Sequence, residues 1–331
     1  MAKEGTEGVP LASDNSGVGP QAASAFKLLG NETRLSLLLA LWDAHEPASE
    51  ENAVSFTALR DRVGVEQGGK FNYHLDKLVG HFVRKTDEGY ELRRAGQQVI
   101  QAVISGAGIE DEHLERTPID LDCPYCGGPT IISYQDESLY HRCTACDGCL
   151  GDRYDELDGL LMVVPFDPAG FDDRGPTELY HASTVRSTWE TQTFIEGVCP
   201  SCSGRVESSL DVCREHDDNE GICPTCGRRP AVMAEFRCQT CKEFTSVPPS
   251  KVVTHHPAVV SFYHAHGISL QYDLDDPLSP TRRETLRREH EQERVSADPP
   301  AVIVTVEYDG DSLSLRLDES LNVVDVRDSR A

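Results

Sequence analysis

The chain has 331 residues, 38% of them hydrophobic and 26% charged, a globular composition with room for two or three domains. Acidic residues outnumber basic ones 56 to 31, and the net charge of −25 excludes a protein held on nucleic acid by net charge alone. No apolar run approaches the ~18 residues of a membrane span and no signal-peptide pattern opens the chain, so a cytoplasmic protein is expected, whose twelve cysteines hold metal rather than disulfides.

Residues 1–20 carry Gly, Ser and Pro without periodicity and read as a disordered tail. From Ala22 the periodicity is helical. Ala25, Phe26 and Leu29, then Leu35, Leu38, Leu39 and Trp42, predict two helices broken at Gly30-Asn31, the second opening at Thr33-Arg34 and closed by Pro47. Ser55 or Thr57 caps a short helix with Phe56, Leu59 and Val63, and Gly64 permits the turn after it. The next helix places Phe71, Leu75, Leu78 and Val79 inward, with Lys70, Asn72, Tyr73, Asp76 and Lys77 on the other side and Gln67 at its entrance. Residues 82–86 and 90–92 flank Asp87-Glu88-Gly89 as a short hairpin, and a last helix runs from Ala95 to about Ile104. Residues 22–105 hold ten basic and eleven acidic side chains, so nearly all of the negative charge lies elsewhere.

The runs AFKLLGNETRLSLLLAL, FTALRDRVG and GKFNYHLDKLVG, followed by the hairpin and RRAGQQV, resemble the ArsR-type winged helix-turn-helix regulators, in particular those of salt-loving archaea. The seven lysines among 31 basic residues agree with a salt-adapted acidic surface. The resemblance covers residues 21–106 and implies a homodimer, with its first and last helices at the interface and the helix around Asn72 in the major groove of double-stranded DNA. Gln67, Asn72 and His74 are the candidate base readers, because such side chains donate and accept together. Tyr73 is a further contact, and Lys70, Lys77, Arg84, Lys85, Arg93 and Arg94 are candidates for phosphate. Either Tyr73 or His74 has a competing role as a partly buried support of the helix.

Downstream, residues 107–122 read as an acidic connector into a zinc ribbon spanning 107–156, whose knuckles are Cys123/Cys126 and Cys143/Cys146. Ten of the twelve cysteines form five C-x-x-C pairs, the spacing that lets two sulfurs face one ion. Cys149 is left over and reads first as a buried thiol, with a substitute ligand or a reactive group as the alternatives. Residues 157–198 supply a strand, LLMVVPF, and a helix over 176–195 with Leu179, Val185, Trp189 and Phe194 available for one face. Within 199–275, Cys199, Cys202, Cys213, His216, Cys223, Cys226, Cys238 and Cys241 are ligands for two further ions, whether paired sequentially, nested or crossed. A helix from Pro257 accounts for His255, His256, His264 and His266 by packing. Residues 276–331 read as a charged helix, from a Thr281/Glu284 capping box to Arg294, and an antiparallel β meander whose open face needs a partner such as the 160–166 strand.

The expected fold is α+β and multidomain, with three structural zinc ions. The expected function is a sequence-specific, DNA-binding transcription regulator whose C-terminal half meets a protein partner or small effector. The alternative is a sensor whose cysteines, Cys149 and whichever Cys lies outside a complete tetrad, exchange metal or oxidise. No nucleophile sits beside a base and no glycine loop would cradle phosphate, so no enzymatic activity is expected.

Overall fold

The computed structural model describes residues 27–49, 51–65, 67–106, 108, 112–151, 159–216, 221–270 and 290–330. The chain is α+β and divides into two compact units, Met1–Ile109 and Glu110–Ala331, so the boundaries expected at 156, 198 and 275 all fall inside the second. Among the described residues no helix is long and apolar enough to cross a membrane. The N-terminal tail, the helix start at Ala22–Phe26 and the Thr281/Glu284 capping box lie outside the described residues.

In the first unit, Asn31 opens α1 (Glu32–Trp42) by accepting the Arg34 backbone N–H on Oδ1 at 3.2 Å, so this helix begins just before the Thr33-Arg34 step. Ser55 caps α2 (Phe56–Val63) in the same way through Ala58 at 3.3 Å. There follow α3 (Gly68–Leu78), β1 (Val83–Lys85), β2 (Tyr90–Leu92) and α4 (Arg94–Ile104). Phe71, Leu75 and Leu78 of α3 share one core with Leu37, Leu38 and Leu41 of α1, Leu59 of α2 and Ile100 of α4. Val79 packs partly buried against the same core, as expected, and His74 joins the inward face as a further buried side chain. Val79 stands past the last turn with extended backbone, whereas His74 falls beside Leu75 and on its face. Val54 extends the β1–β2 hairpin by exchanging backbone bonds of 2.8 and 2.9 Å with Tyr90. A β-carbon at Gly89, which has φ +154°, would collide with the Val54 carbonyl, so this close approach explains the glycine.

Among the described residues, the second unit holds three antiparallel sheets. The first has the order β3 (Leu114–Asp122), β4 (Pro129–Gln135), β5 (Ser138–Cys143) and β6 (Leu160–Pro165). β3 corrects the expected connector: acidic residues mask its alternation, yet Ile119 is buried beside Ile132 and the strand pairs with β4. Asp136 and Glu137, both at positive φ, form the tight turn between β4 and β5. β6 is a second correction. Instead of covering the C-terminal meander it pairs with β5, where Val164 lies opposite Leu139 and both enter the first core.

The long helix α5 (Pro176–Ile195) places Leu179 and Tyr180 in that core and Phe194 in the next one. Trp189 is 52% exposed and stacked on His255, because at 3.6 residues per turn it lies about 140° round the helix from Phe194. The second sheet is β7 (Val206–Val212), β8 (Val232–Cys238) and β9 (Phe244–Val247), followed by α6 (Pro249–Val253) and α7 (Pro257–Ala265). The third has the order β10 (Glu291–Ala297), β11 (Pro300–Tyr308), β12 (Asp311–Leu317) and β13 (Val323–Asp328). Val302, Val304 and Val306 of β11, and Leu313, Leu315 and Leu317 of β12, alternate inward onto Phe236, Val253, Val259 and Phe262. The second sheet and the α6–α7 pair therefore cover the meander. The charged helix expected to reach Arg294 is also corrected, since Glu291–Ala297 pairs with the edge of β11 and an edge strand tolerates alternating charge.

Candidate metal centres and the exposed helix face

The C-x-x-C segments fold as a repeated turn. In those starting at Cys123, Cys199 and Cys223, the first cysteine donates its N–H to the carbonyl five residues on, at 2.8, 3.0 and 3.1 Å. The residue after the second cysteine returns its N–H to the first, from Gly127, Ser203 and Gly227 at 3.0, 2.9 and 2.8 Å. That residue needs a left-handed backbone, with φ +68°, +59° and +67°, and Lys242 adopts the same conformation at +68°. Such turns aim both sulfurs to one side.

Among the described residues three clusters result: Cys123, Cys126, Cys143 and Cys146; Cys199, Cys202, Cys238 and Cys241; and Cys213, His216, Cys223 and Cys226. In each, the four ligand atoms lie within 4.8 Å of one another, and each set can hold a metal ion. A tetrahedral ion with Zn–S bonds of ~2.3 Å would set its sulfurs about 3.8 Å apart. The structure has Cys123–Cys146 at 3.8 Å, Cys126–Cys143 at 3.5 Å, Cys199–Cys241 at 3.6 Å and Cys202–Cys238 at 3.5 Å. His216 Nδ1 is 3.5 Å from Cys226 Sγ, close to the ~3.6 Å of a tetrahedral nitrogen–sulfur edge.

Of the arrangements left open for residues 199–241, the structure brings together the nested one. β7 pairs with β8 from Val206 opposite Cys238 to Val212 opposite Val232. The chain entering β7 therefore meets the chain leaving β8, and the turn between the strands gathers the other four ligands at the opposite end. Strand register makes the choice that spacing could not.

Backbone donors support the thiolates. Ala145 N–H reaches Cys143 Sγ at 3.2 Å, Thr240 N–H reaches Cys238 Sγ at 3.3 Å, and Gly128 and Gly204 reach Cys126 and Cys202, both at 3.4 Å. The Cys241 N–H, with further help from Thr240 and Cys202, outweighs burial and holds the Cys238 thiol at about 6. Burial opposes the Cys143 thiolate, but the Ala145 N–H and Cys126 hold it at about 7. The fourth proton is the hard one. Burial and three neighbouring sulfurs push Cys146 to about 12, and in the second cluster the Glu243 N–H favours the Cys241 thiolate without preventing a rise to about 12. Four thiolates crowded together need a cation among them.

The His216 cluster is tied most widely into the unit. His216 Nε2 lies 3.1 Å from the Arg229 carbonyl, which calls for a proton on Nε2 and leaves Nδ1 for the metal. Arg229 donates from Nε to the Gly148 carbonyl at 2.9 Å, and its guanidinium lies over the Tyr125 ring at 4.6 Å. Arg228 is buried and bonded to Asp211 at 2.6 Å, while Arg294 of β10 donates to the Cys213 carbonyl at 2.6 Å. Sequence reasoning missed these arginines, although the Arg228-Arg229 pair directly after a knuckle was a visible signal. Cys149 is half-buried rather than fully buried, its thiol donating to the Leu161 carbonyl at 3.2 Å.

In the first unit, Gln67, Lys70, Asn72, Tyr73 and Lys77 are exposed, as are Arg84, Lys85, Arg93 and Arg94. Asn72 bonds Asp76 at 2.8 Å and Lys77 lies over the Tyr73 ring at 5.7 Å. Arg84 pairs with Glu91 at 2.9 Å and Arg93 donates to the Gly80 carbonyl, so these two already have partners. His74 is the correction among the candidate base readers. It is 7% exposed, and burial, with Arg34 and Lys70 nearby, lowers its pKa from the ordinary 6.5.

Residues 120–323 match a family model described as a domain of unknown function, DUF7351, and residues 22–103 match a second, DUF7347. No curated protein matches the chain.

Proposed function

The chain belongs to the DUF7351 family, and we propose that it is a transcription regulator that binds double-stranded DNA as a homodimer through an ArsR-like winged helix within residues 21–106. The observation that carries this reading is the solvent face of α3. Lys70, Asn72, Tyr73 and Lys77 project from one exposed helix face, and a short hairpin bearing Arg84 and Lys85 follows directly. Asn72 is the leading base reader, since its amide matches the donor–acceptor pair on adenine. Leu35 and Leu39 on α1, with Val103 and Ile104 on α4, are 36–51% exposed, which supports dimerisation through these helices.

In this reading the three clusters hold zinc as structural ions. Each supplies four thiolate or imidazole ligands and leaves no open coordination position, the arrangement of closed zinc-ribbon sites. The second unit then serves as the effector- or partner-binding half. Genome-wide mapping of the tagged chain beside its Asn72→Ala/Lys77→Ala variant tests the proposal: discrete wild-type peaks lost in the variant are expected, and wild-type signal at background overturns it.

A sensor is the second reading, favoured by the exposure of Cys202 and Cys241 in one centre. Loss of one zinc per chain under mild oxidant, with an accompanying change in DNA affinity, would select it over the purely structural role.

A further inference from the structure

Among the described residues, the C-terminal sheet has two unpaired edges of different character. β10 is interrupted by a bulge between Arg294 and Ser296 and carries Glu291 and Glu293, features that discourage further pairing. β13 has its irregularity near one end and runs in unbroken register from Asp325 to Asp328. The Ser329 N–H bonds the Ser312 carbonyl at 2.9 Å, and backbone direction alternates along a strand. Arg327 and Asp325 therefore turn their amides toward β12, while Asp328 and Val326 present theirs to the open edge. Val326 lies opposite Leu315 and so on the same face of the sheet, yet Leu315 is wholly buried and Val326 is 43% exposed. Among the described residues, cover over the meander thus reaches Val323 of β13 but not Val326. It leaves an apolar side chain beside an unpaired edge.

We infer that a second copy of this chain docks on β13, antiparallel about a two-fold axis through Val326, joining two four-stranded sheets. Within the unbroken run 325–328, the order of charges selects this register. With Val326 opposite its symmetry mate, Asp325 of each copy faces Arg327 of the other, and the Val326 pair exchanges two backbone hydrogen bonds. An axis through Asp325, Arg327 or Asp328 would instead set like charges face to face. Within one copy Arg327 already reaches Asp325 at 2.9 Å, with both side chains at the surface, so neither needs desolvating from a core. The contact lies wholly in the second unit and is independent of the DNA-binding reading.

The test uses the metal-loaded full chain with Val326→Cys, mildly oxidised and mapped by peptide mass spectrometry. A hydrogen-bonded pair on the axis has its Cα atoms ~5.5 Å apart, within reach of a disulfide. An interchain link between the two introduced thiols is expected. Adding Asp325→Arg should cut its yield at least about tenfold, by setting like charges opposite each other twice, and further adding Arg327→Asp should restore it. No link in the parent variant, equal yields in all three, or a reversal that the double swap does not rescue would overturn the contact. Unchanged hydrogen exchange across β11 and β12 in each variant separates these outcomes from misfolding.

Discussion

Arg229 offers the sharpest test of how the metal centres hold the second unit together. Truncation in Arg229→Ala removes its charge-assisted bond to the Gly148 carbonyl, about 1.5–3 kcal/mol, and its stacking on Tyr125, about 0.5–1 kcal/mol. The expected loss is therefore about 2–4 kcal/mol, or roughly 30-fold or more in the local opening constant. The Arg229 carbonyl that accepts from His216 survives in alanine, so metal stoichiometry should not change. Hydrogen exchange read by mass spectrometry on peptides covering 123–150 and 223–232 is the assay, beside zinc analysis of the same samples. Arg229→Lys should recover part of the loss, since the charge remains without the planar fork. Unaltered protection of 123–150 would refute the link between the two centres, and loss of a zinc would show that Arg229 acts on the His216 centre itself.

Other outcomes follow from the same geometry. Cys213→Ser should lower bound zinc by one while leaving Cys199 and Cys202 protected from alkylation; their loss of protection would contradict the nested assignment. His74 has a folded pKa below its unfolded one, so the unfolded chain binds the extra proton and stability falls as pH drops through 6.5. Helix α3 should therefore lose exchange protection between pH 7 and 5, less so in His74→Leu, and equal losses in both would exclude the histidine as cause. Gly89→Ala should displace the hairpin from Val54 and cost about 1–3 kcal/mol, read as increased exchange at Val54 and Tyr90. In the proposed DNA-binding role, Lys77→Ala should reduce the log–log salt slope for a bound DNA fragment by about 0.9 per protomer, and an unchanged slope would remove Lys77 from the proposed phosphate contacts.

What the sequence determined by itself is local. Period-four apolar residues specified α3, the Asp87-Glu88-Gly89 run specified a hairpin turn, and C-x-x-C spacing specified knuckles, because each depends on atoms a few residues apart. The helix over 176–195 was legible for the same reason. Tertiary structure decided everything that depends on pairing across distance. Only the β7–β8 register determines that Cys199 shares a centre with Cys241 rather than with Cys213. β3 is a strand because β4 offers it an edge, and Glu291–Ala297 is extended because β11 does the same, in both cases against the local charge pattern. His74 shows the limit on a single helix. Its polar chemistry suited base reading, but burial follows which face of α3 meets the core, and that face included it.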